Sequence, residues 1–161
     1  MFDEYLWIVV FSGICCFVVA FGIGANDVAN AMATSVGAKT LTMRQAVVVA
    51  GVCEFAGAVA MGSRVTDTVR KGITSADYFD DSAHTLSVLM IGMCSVLMAV
   101  MVWLLLATRL GMPVSTTHSC IGGIVGMALA ARGAKAVNWG KVGMVALSWV
   151  LSPLIAAIVA G

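Results

Sequence analysis

Charged residues are scarce in this chain. Only 11% of its 161 residues are Asp, Glu, Lys or Arg, whereas 61% are hydrophobic. Soluble domains typically carry about 25% charged and about 45–50% apolar residues, so this composition excludes an ordinary soluble domain. A helix needs about 20 mostly apolar residues to cross a bilayer, and several stretches meet that requirement. The chain is therefore predicted to be an all-α, polytopic membrane protein.

Several functional signatures are also missing. The formal net charge is only +1 and the basic residues are scattered, which argues against nucleic acid or another polyanionic partner. The five cysteines lie in apolar stretches with no C-x-x-C pair, which argues against a metal centre or a disulfide framework. The first residues are acidic where a secretory signal would be basic, so the first apolar run is predicted to be a retained span.

About five membrane segments are predicted within one membrane domain, residues 1–161. They are 5–25 with a half-helix at 27–36, then 42–63, 85–108, 113–131 and 142–161. The fourth is short and either spans or is re-entrant, and Pro153 is expected to bend or break the fifth. Residues 64–84 are predicted to form a hydrophilic loop with a short amphipathic helix at 65–73. The Lys and Arg residues do not specify the membrane orientation.

The first informative stretch, residues 21–37, has polar side chains at the end of a long apolar run. Asn26, Asp27 and Asn30 follow two glycines, Gly22 and Gly24. Asp within a membrane helix usually faces a partner or a wet cavity, and Asn and Asp are good N-caps. This pattern predicts a helix that breaks and restarts, with free N–H groups for an anion and exposed carbonyls for a cation.

Glu54 is an acid near the middle of the second predicted span. Ala50, Ala58 and Gly62 share its helix face, and such a face of small residues favours close packing on another helix. The carboxylate could bind a cation, carry a proton or make a structural hydrogen bond, and these three readings stay open.

A second polar stretch follows Gly111 and Pro113, which are expected to end one helix. Five polar residues then begin the next helix: Ser115, Thr116, Thr117, His118 and Ser119. Hydroxyls beside the unpaired N–H groups of a helix N-terminus could cradle an oxyanion, although an ordinary capping run would look the same. Gly122 and Gly126 form a G-x-x-x-G pattern that predicts a close helix contact.

Two interrupted membrane helices indicate the binding site of a secondary transporter. Asp27, Asn30 and Glu54 supply oxygen ligands and negative charge for a coupling cation, and the hydroxyl run supplies donors for an anion. Binding of the cation near the anion offsets its charge, which couples the two events. The residues therefore predict cation-driven transport of a small oxyanion, with transported ions and no cofactor.

Four segments resemble the inorganic phosphate transporter (PiT) family. They are G-A-N-D-V-A-N-A at 24–31, the Glu54 helix, V-x-x-T-V-R-K-G-I at 65–73 and P-V-S-T-T-H-S at 113–119. The resemblance implies a sodium- or proton-coupled phosphate symporter with an inverted repeat, most simply in the plasma membrane.

The resemblance also implies roles for individual residues. It places Asp27 and Asn30 in the cation site, where they would bind sodium in a sodium-coupled protein, and makes Glu54 the coupling acid. It implies phosphate contacts for three hydroxyl residues, Ser115, Thr116 and Thr117. Asn26 could serve either ligand, and His118 has no settled role beyond orienting the hydroxyls.

The family carries the G-A-N-D signature twice, whereas this sequence has it once and no other internal repeat. The chain is therefore expected to be the N-terminal half of an inverted-repeat transporter. A missing C-terminal half or a second copy in a homo-oligomer would complete it.

Two other classes of function are alternatives to transport. An intramembrane hydrolase could use Ser115 or Ser119 with His118 and Asp27, but the G-x-S-x-G and H-E-x-x-H patterns are missing. A channel or a structural membrane subunit is the other alternative. The sequence thus predicts a protein that is not an enzyme.

Overall fold

The computed structural model describes residues 2–74 and 83–160, and these fold almost entirely into helices. The helices are α1 (Phe2–Gly37), α2 (Met43–Gly72), α3 (Ala83–Arg109), α4 (Thr116–Arg132) and α5 (Trp139–Ala160), with a turn of 3-10 helix at Ala134–Ala136. In the described ranges, α1, α2, α3 and α5 are long and apolar enough to cross a membrane. The prediction of an all-α, multi-span membrane architecture is confirmed.

Helix α1 is continuous, and the predicted break near Gly22 and Asp27 is wrong. The helix runs without interruption from Phe2 to Gly37. A break inside a membrane would leave backbone groups without partners at a cost of several kcal/mol each, whereas a helical glycine costs only about 1 kcal/mol. Consequently α1 offers neither free N–H groups nor exposed carbonyls beside Asp27.

Helices α1 and α3 run parallel. Three contacts along their interface join residues that are 82 positions apart: Tyr5 with Ser87, Gly22 with Leu104 and Asn26 with Thr108. A constant offset of this kind requires that both chains advance in the same direction. A Cβ atom on Gly22 would lie 3.3 Å from that of Leu104, so the glycine permits the close approach of the two helices.

Helix α4 returns antiparallel along α3. Gly92 faces Met127, and Gly123 faces Val96 so closely that a Cβ on Gly123 would lie 2.9 Å from its Cγ1. The predicted G-x-x-x-G contact is wrong, because Cβ atoms on Gly122 and Gly126 would meet nothing within 4 Å in the described structure. The buried core joins α1, α3, α4 and the end of α2, and consists of Val19, Ile73, Val96, Val100, Leu104, Ile121 and Ile124.

Helix α2 begins with a cap at Thr42. Its hydroxyl accepts from the Gln45 amide, and the Gln45 side chain accepts from the Thr42 amide in return. The helix ends at Gly72, so the first part of the expected 64–84 loop continues α2 as helix. Residues 75–82 of that loop lie outside the described ranges.

Helix α5 is joined to the end of α2 through the residues that precede it. The Asn138 amide before it donates to the Ile73 carbonyl at 2.9 Å, and Thr74 pairs with Val137 as an isolated bridge. The helix contains Pro153 without being broken by it. No described α5 residue is buried, so this helix presents most of its apolar surface outward.

Candidate functional site

The break between α3 and α4 occurs where the sequence predicts it. Helix α3 ends at Arg109, and Gly111 has φ = 65°, a left-handed conformation that favours glycine. The Ser115 hydroxyl then caps α4 by accepting the His118 amide at 3.4 Å. The first turn of a helix leaves N–H groups without backbone partners, so α4 presents donors and the positive end of its dipole at this point.

Asn26 clamps the connection between α3 and α4. Its side chain is 5% exposed and forms hydrogen bonds on both the donor and the acceptor side. The Nδ2 group donates to the Met112 carbonyl at 3.0 Å, and Oδ1 accepts the Val114 amide at 3.1 Å. A weaker contact of 3.5 Å joins Nδ2 to Thr108 Oγ1. The amide therefore pairs with the loop backbone much as a neighbouring strand would.

Asn30 extends this clamp by one helical turn. Its Nδ2 group donates to Asn26 Oδ1 and to the Val114 carbonyl, both at 3.2 Å. The Asn30 Oδ1 has no hydrogen-bond partner within residues 2–74 and 83–160. Because both bonds use the nitrogen, the carbonyl oxygen of this amide is left available as a ligand.

The two polar stretches meet at Asp27 and Thr116. The Thr116 hydroxyl donates to Asp27 Oδ2 at 3.0 Å, across 89 positions of sequence. Both side chains are half-buried. Asp27 lies ten residues before the end of α1, which places it about 15 Å from that end at 1.5 Å per residue. The structure thus brings the acidic segment of α1 and the hydroxyl segment of α4 together at this hydrogen bond.

Glu54 lies across a groove from Asp27. A groove of about 640 Å³ between α1 and α2 is lined by Asp27, Val28, Ala50 and Glu54 among others. The Glu54 side chain is exposed, whereas Ala50, one turn earlier, is buried. Of the predicted small-residue face, Ala58 is exposed as well, so the face does not pack along its length within the described chain. The two carboxylates thus line one groove.

The remaining hydroxyls of the run are used differently from one another. Ser115 Oγ lies 2.6 Å from His118 Nδ1, and Ser119 Oγ donates to the Ser115 carbonyl at 3.0 Å. Thr117 is exposed, and its hydroxyl has no hydrogen-bond partner in the described part of the chain. Of the three hydroxyl residues predicted to contact phosphate, Thr116 alone is bonded to the carboxylate of α1.

Sequence reasoning missed three contributors to this site. Thr108 and the backbone of Val114 contact the Asn26 amide, and Trp149 of α5 stacks on His118 with ring centroids 3.6 Å apart. Backbone groups of a loop carry no sequence signal, and a Thr at the end of an apolar run looks like an ordinary helix terminus. Thr108 reaches Asn26 because contacting residues of α1 and α3 are 82 positions apart, and this offset is known only from the fold.

The sequence matches the phosphate transporter family over residues 23–161. A relative from Thermococcus kodakarensis that carries a phosphate permease name is 51% identical over 158 residues, which cover 98% of this chain and 37% of the relative. A sodium-dependent phosphate transporter of Plasmodium falciparum is 44% identical over 153 residues, which cover 95% of this chain and 22% of the relative.

A solved structure has the same arrangement of helices. It is described as the sodium-dependent phosphate transporter, is 48% identical and superposes with a TM-score of 0.82. The match covers 91% of this chain and 35% of that one. The chain thus spans between 22% and 37% of the length of these relatives.

Proposed function

Because the chain belongs to the phosphate transporter family, we propose that it forms one segment of a larger membrane transporter that couples phosphate movement to sodium. Transport of phosphate is supported by the family as a whole. Coupling to sodium, in place of protons, is supported by the names of the Plasmodium relative and of the similar solved structure.

The observation that carries this proposal is the hydrogen bond from Thr116 to Asp27. It joins the N-terminus of α4, which favours anions, to a carboxylate that favours cations. The proposed oxyanion site and the proposed cation site would therefore lie one hydrogen bond apart. Such adjacency is what coupled binding of two opposite charges requires.

Coupling follows from the single proton of the Thr116 hydroxyl. A hydroxyl can donate one hydrogen bond, and while it donates to Asp27 it cannot donate to a phosphate oxygen. A sodium ion bound by the Asp27 carboxylate would compete for the same oxygen lone pairs and weaken that bond. The hydroxyl would then turn to the anion, so cation binding strengthens phosphate binding through one shared residue.

The other predicted residues fit around this pair. Asn30 Oδ1 is available as a second oxygen ligand for sodium, and Glu54 contributes negative charge from across the groove. Ser115 and Thr117 would add donors for phosphate. The side chain of Asn26 is occupied by the 112–114 backbone, so we assign it a positioning role for this loop, and its contact with phosphate stays a prediction.

The hydrolase alternative is not supported by the geometry. Ser115 does contact His118, but Asp27 bonds to Thr116 and no bond between Asp27 and His118 exists in the described structure. A general base in a triad is oriented by its acid, and that orientation is missing here. Membership of a transporter family also favours transport over hydrolysis.

Uptake of radiolabelled phosphate into vesicles tests the proposal. The complete transporter containing this segment should accumulate phosphate only when sodium is higher outside, and collapse of the gradient with a sodium ionophore should abolish accumulation. Equilibration of phosphate without dependence on the gradient would indicate a channel. Accumulation that follows a proton gradient alone would refute sodium coupling while leaving phosphate transport in place.

A further inference from the structure

Ser115 has a hydroxyl group whose hydrogen-bonding capacity is nearly exhausted inside the protein. The backbone amide of His118 donates to its Oγ at 3.4 Å, and the Nδ1 atom of the same residue lies 2.6 Å from that Oγ. A serine hydroxyl offers one O–H donor and two acceptor positions. The His118 amide uses one acceptor position. The protonation of Nδ1 therefore decides how the second acceptor position and the O–H donor are used.

The two states of the imidazole nitrogen have opposite consequences for an anion. If Nδ1 carries no proton, the Ser115 O–H must donate to it, and no donor remains for a ligand. If Nδ1 carries the proton, it donates to Oγ and fills the second acceptor position. The O–H of Ser115 is then released and can point away from the protein. A phosphate oxygen accepts hydrogen bonds, so only the second state attracts it.

The imidazole ring is held in place by a different helix. His118 stacks on Trp149 of α5, with centroids 3.6 Å apart and planes inclined by 25°. Both side chains are otherwise exposed, so the stack is the main restraint on the ring besides the Ser115 contact. The stack keeps the ring plane, and therefore Nδ1, aimed at the Ser115 oxygen.

We propose that His118 is a positioning residue for phosphate recognition, whose Nδ1–H donates to Ser115 Oγ and thereby directs the Ser115 hydroxyl proton at the bound anion. The proposal rests on the proposed function, since it assigns a role within the same phosphate site. Phosphate binding and the Nδ1-protonated state of His118 therefore favour one another. Trp149 takes part by fixing the ring, which links α5 to the hydroxyl run of α4.

Two substitutions distinguish the contribution of the His118 Nδ1 donor from that of its stacked ring. His118→Phe keeps a ring for stacking on Trp149 but removes the donor, and His118→Asn keeps an amide donor near the Nδ1 position without the ring. In the complete transporter, His118→Phe leaves the Ser115 O–H no longer directed at the anion. The KM for phosphate should therefore rise by roughly three- to tenfold, at most the effect of one hydrogen bond, with little change in maximal rate. His118→Asn should recover most of the affinity.

A Ser115→Ala background supplies the matched control. If His118 acts through Ser115, His118→Phe should cause no further rise in KM once the hydroxyl has been removed. An equal additional rise in that background would show that His118 acts on phosphate by another route and would overturn the proposal. A KM for His118→Phe equal to that of the wild type would overturn it as well.

Nitrogen NMR of the transporter with labelled histidine measures the protonation of Nδ1 directly. A purely structural role of His118 would leave this signal unchanged by phosphate. With saturating phosphate and sodium, the Nδ1 signal of His118 should be that of a protonated nitrogen, and it should lose this character in the Ser115→Ala variant. An unprotonated Nδ1 in the phosphate-bound state would overturn the inference alone. Failure of the wild-type protein to bind phosphate would overturn the proposed function together with it.

Discussion

Removal of the Asn26 side chain should release the loop that brings α4 to Asp27. In Asn26→Ala, the Val114 amide loses its acceptor and the Met112 carbonyl loses its donor. Asn30 would keep its bond to the Val114 carbonyl, so the loop would remain attached at one point. The expected result is a loop that opens more readily while the helices stay folded.

The size of the effect follows from the two backbone groups. A buried group left without a partner costs about 1–3 kcal/mol, which sets an upper limit of about 6 kcal/mol for two. Met112 is exposed and Val114 only half-buried, so water can replace part of the loss. We therefore expect the closed loop to be about 1–3 kcal/mol less stable. The equilibrium constant for opening should then be roughly 10- to 100-fold larger.

Amide hydrogen exchange of the transporter in nanodiscs measures this opening directly. The peptide that contains Val114 should exchange roughly 10- to 100-fold faster in Asn26→Ala than in the wild type. Asn138→Ala is the matched control, because Asn138 caps α5 through Lys141 and makes no bond to this loop. Unchanged exchange at Val114 in Asn26→Ala would refute the clamp, because other contacts would then hold the loop.

Three further predictions test the packing and the site. Gly123→Ala should destabilise the fold by about 1–3 kcal/mol, because its Cβ would lie 2.9 Å from Val96 Cγ1. Gly122→Ala, with open space at its Cβ, should be neutral or stabilise by up to about 1 kcal/mol; equal thermal stabilities would contradict this packing. Thr116→Val keeps the shape but removes the donor, so the KM for phosphate should rise about tenfold, and an unchanged KM would remove Thr116 from the site. Glu54→Gln should abolish sodium-driven phosphate uptake while membrane insertion, checked by surface labelling, stays normal; uptake at the wild-type rate would make Glu54 structural.

The predictions that succeeded depend on local chemistry. Pro113 and the following hydroxyls end one helix and begin the next because of their own backbone and capping preferences. These interactions involve residues within one turn, so the chain around them has little influence on the outcome.

The wrong predictions concern residues whose role is set by a partner helix. Gly22 is typical of a helix break, but in the fold it is the point at which Leu104 approaches α1. The pattern around Asn26 predicts a cap for its own helix, whereas its amide binds the backbone of a loop 86–88 positions away. The close contact with α3 is made by Gly123 and not by Gly122 and Gly126, which the sequence predicts. The rotation of α4 about its axis depends on the surface of the helix that it meets.

The membrane environment, the helical class, the family and the two polar stretches can be read from the sequence, because apolar length, capping residues and motifs are properties of consecutive residues. Tertiary structure alone decided that Asp27 and Thr116 share a hydrogen bond. Spacing along a chain specifies which side chains share one helix face, but it does not specify which faces meet. The parallel packing of α1 on α3, with α4 folded back beside them, brings the carboxylate to the hydroxyl, and that arrangement follows from how the helix surfaces fit together.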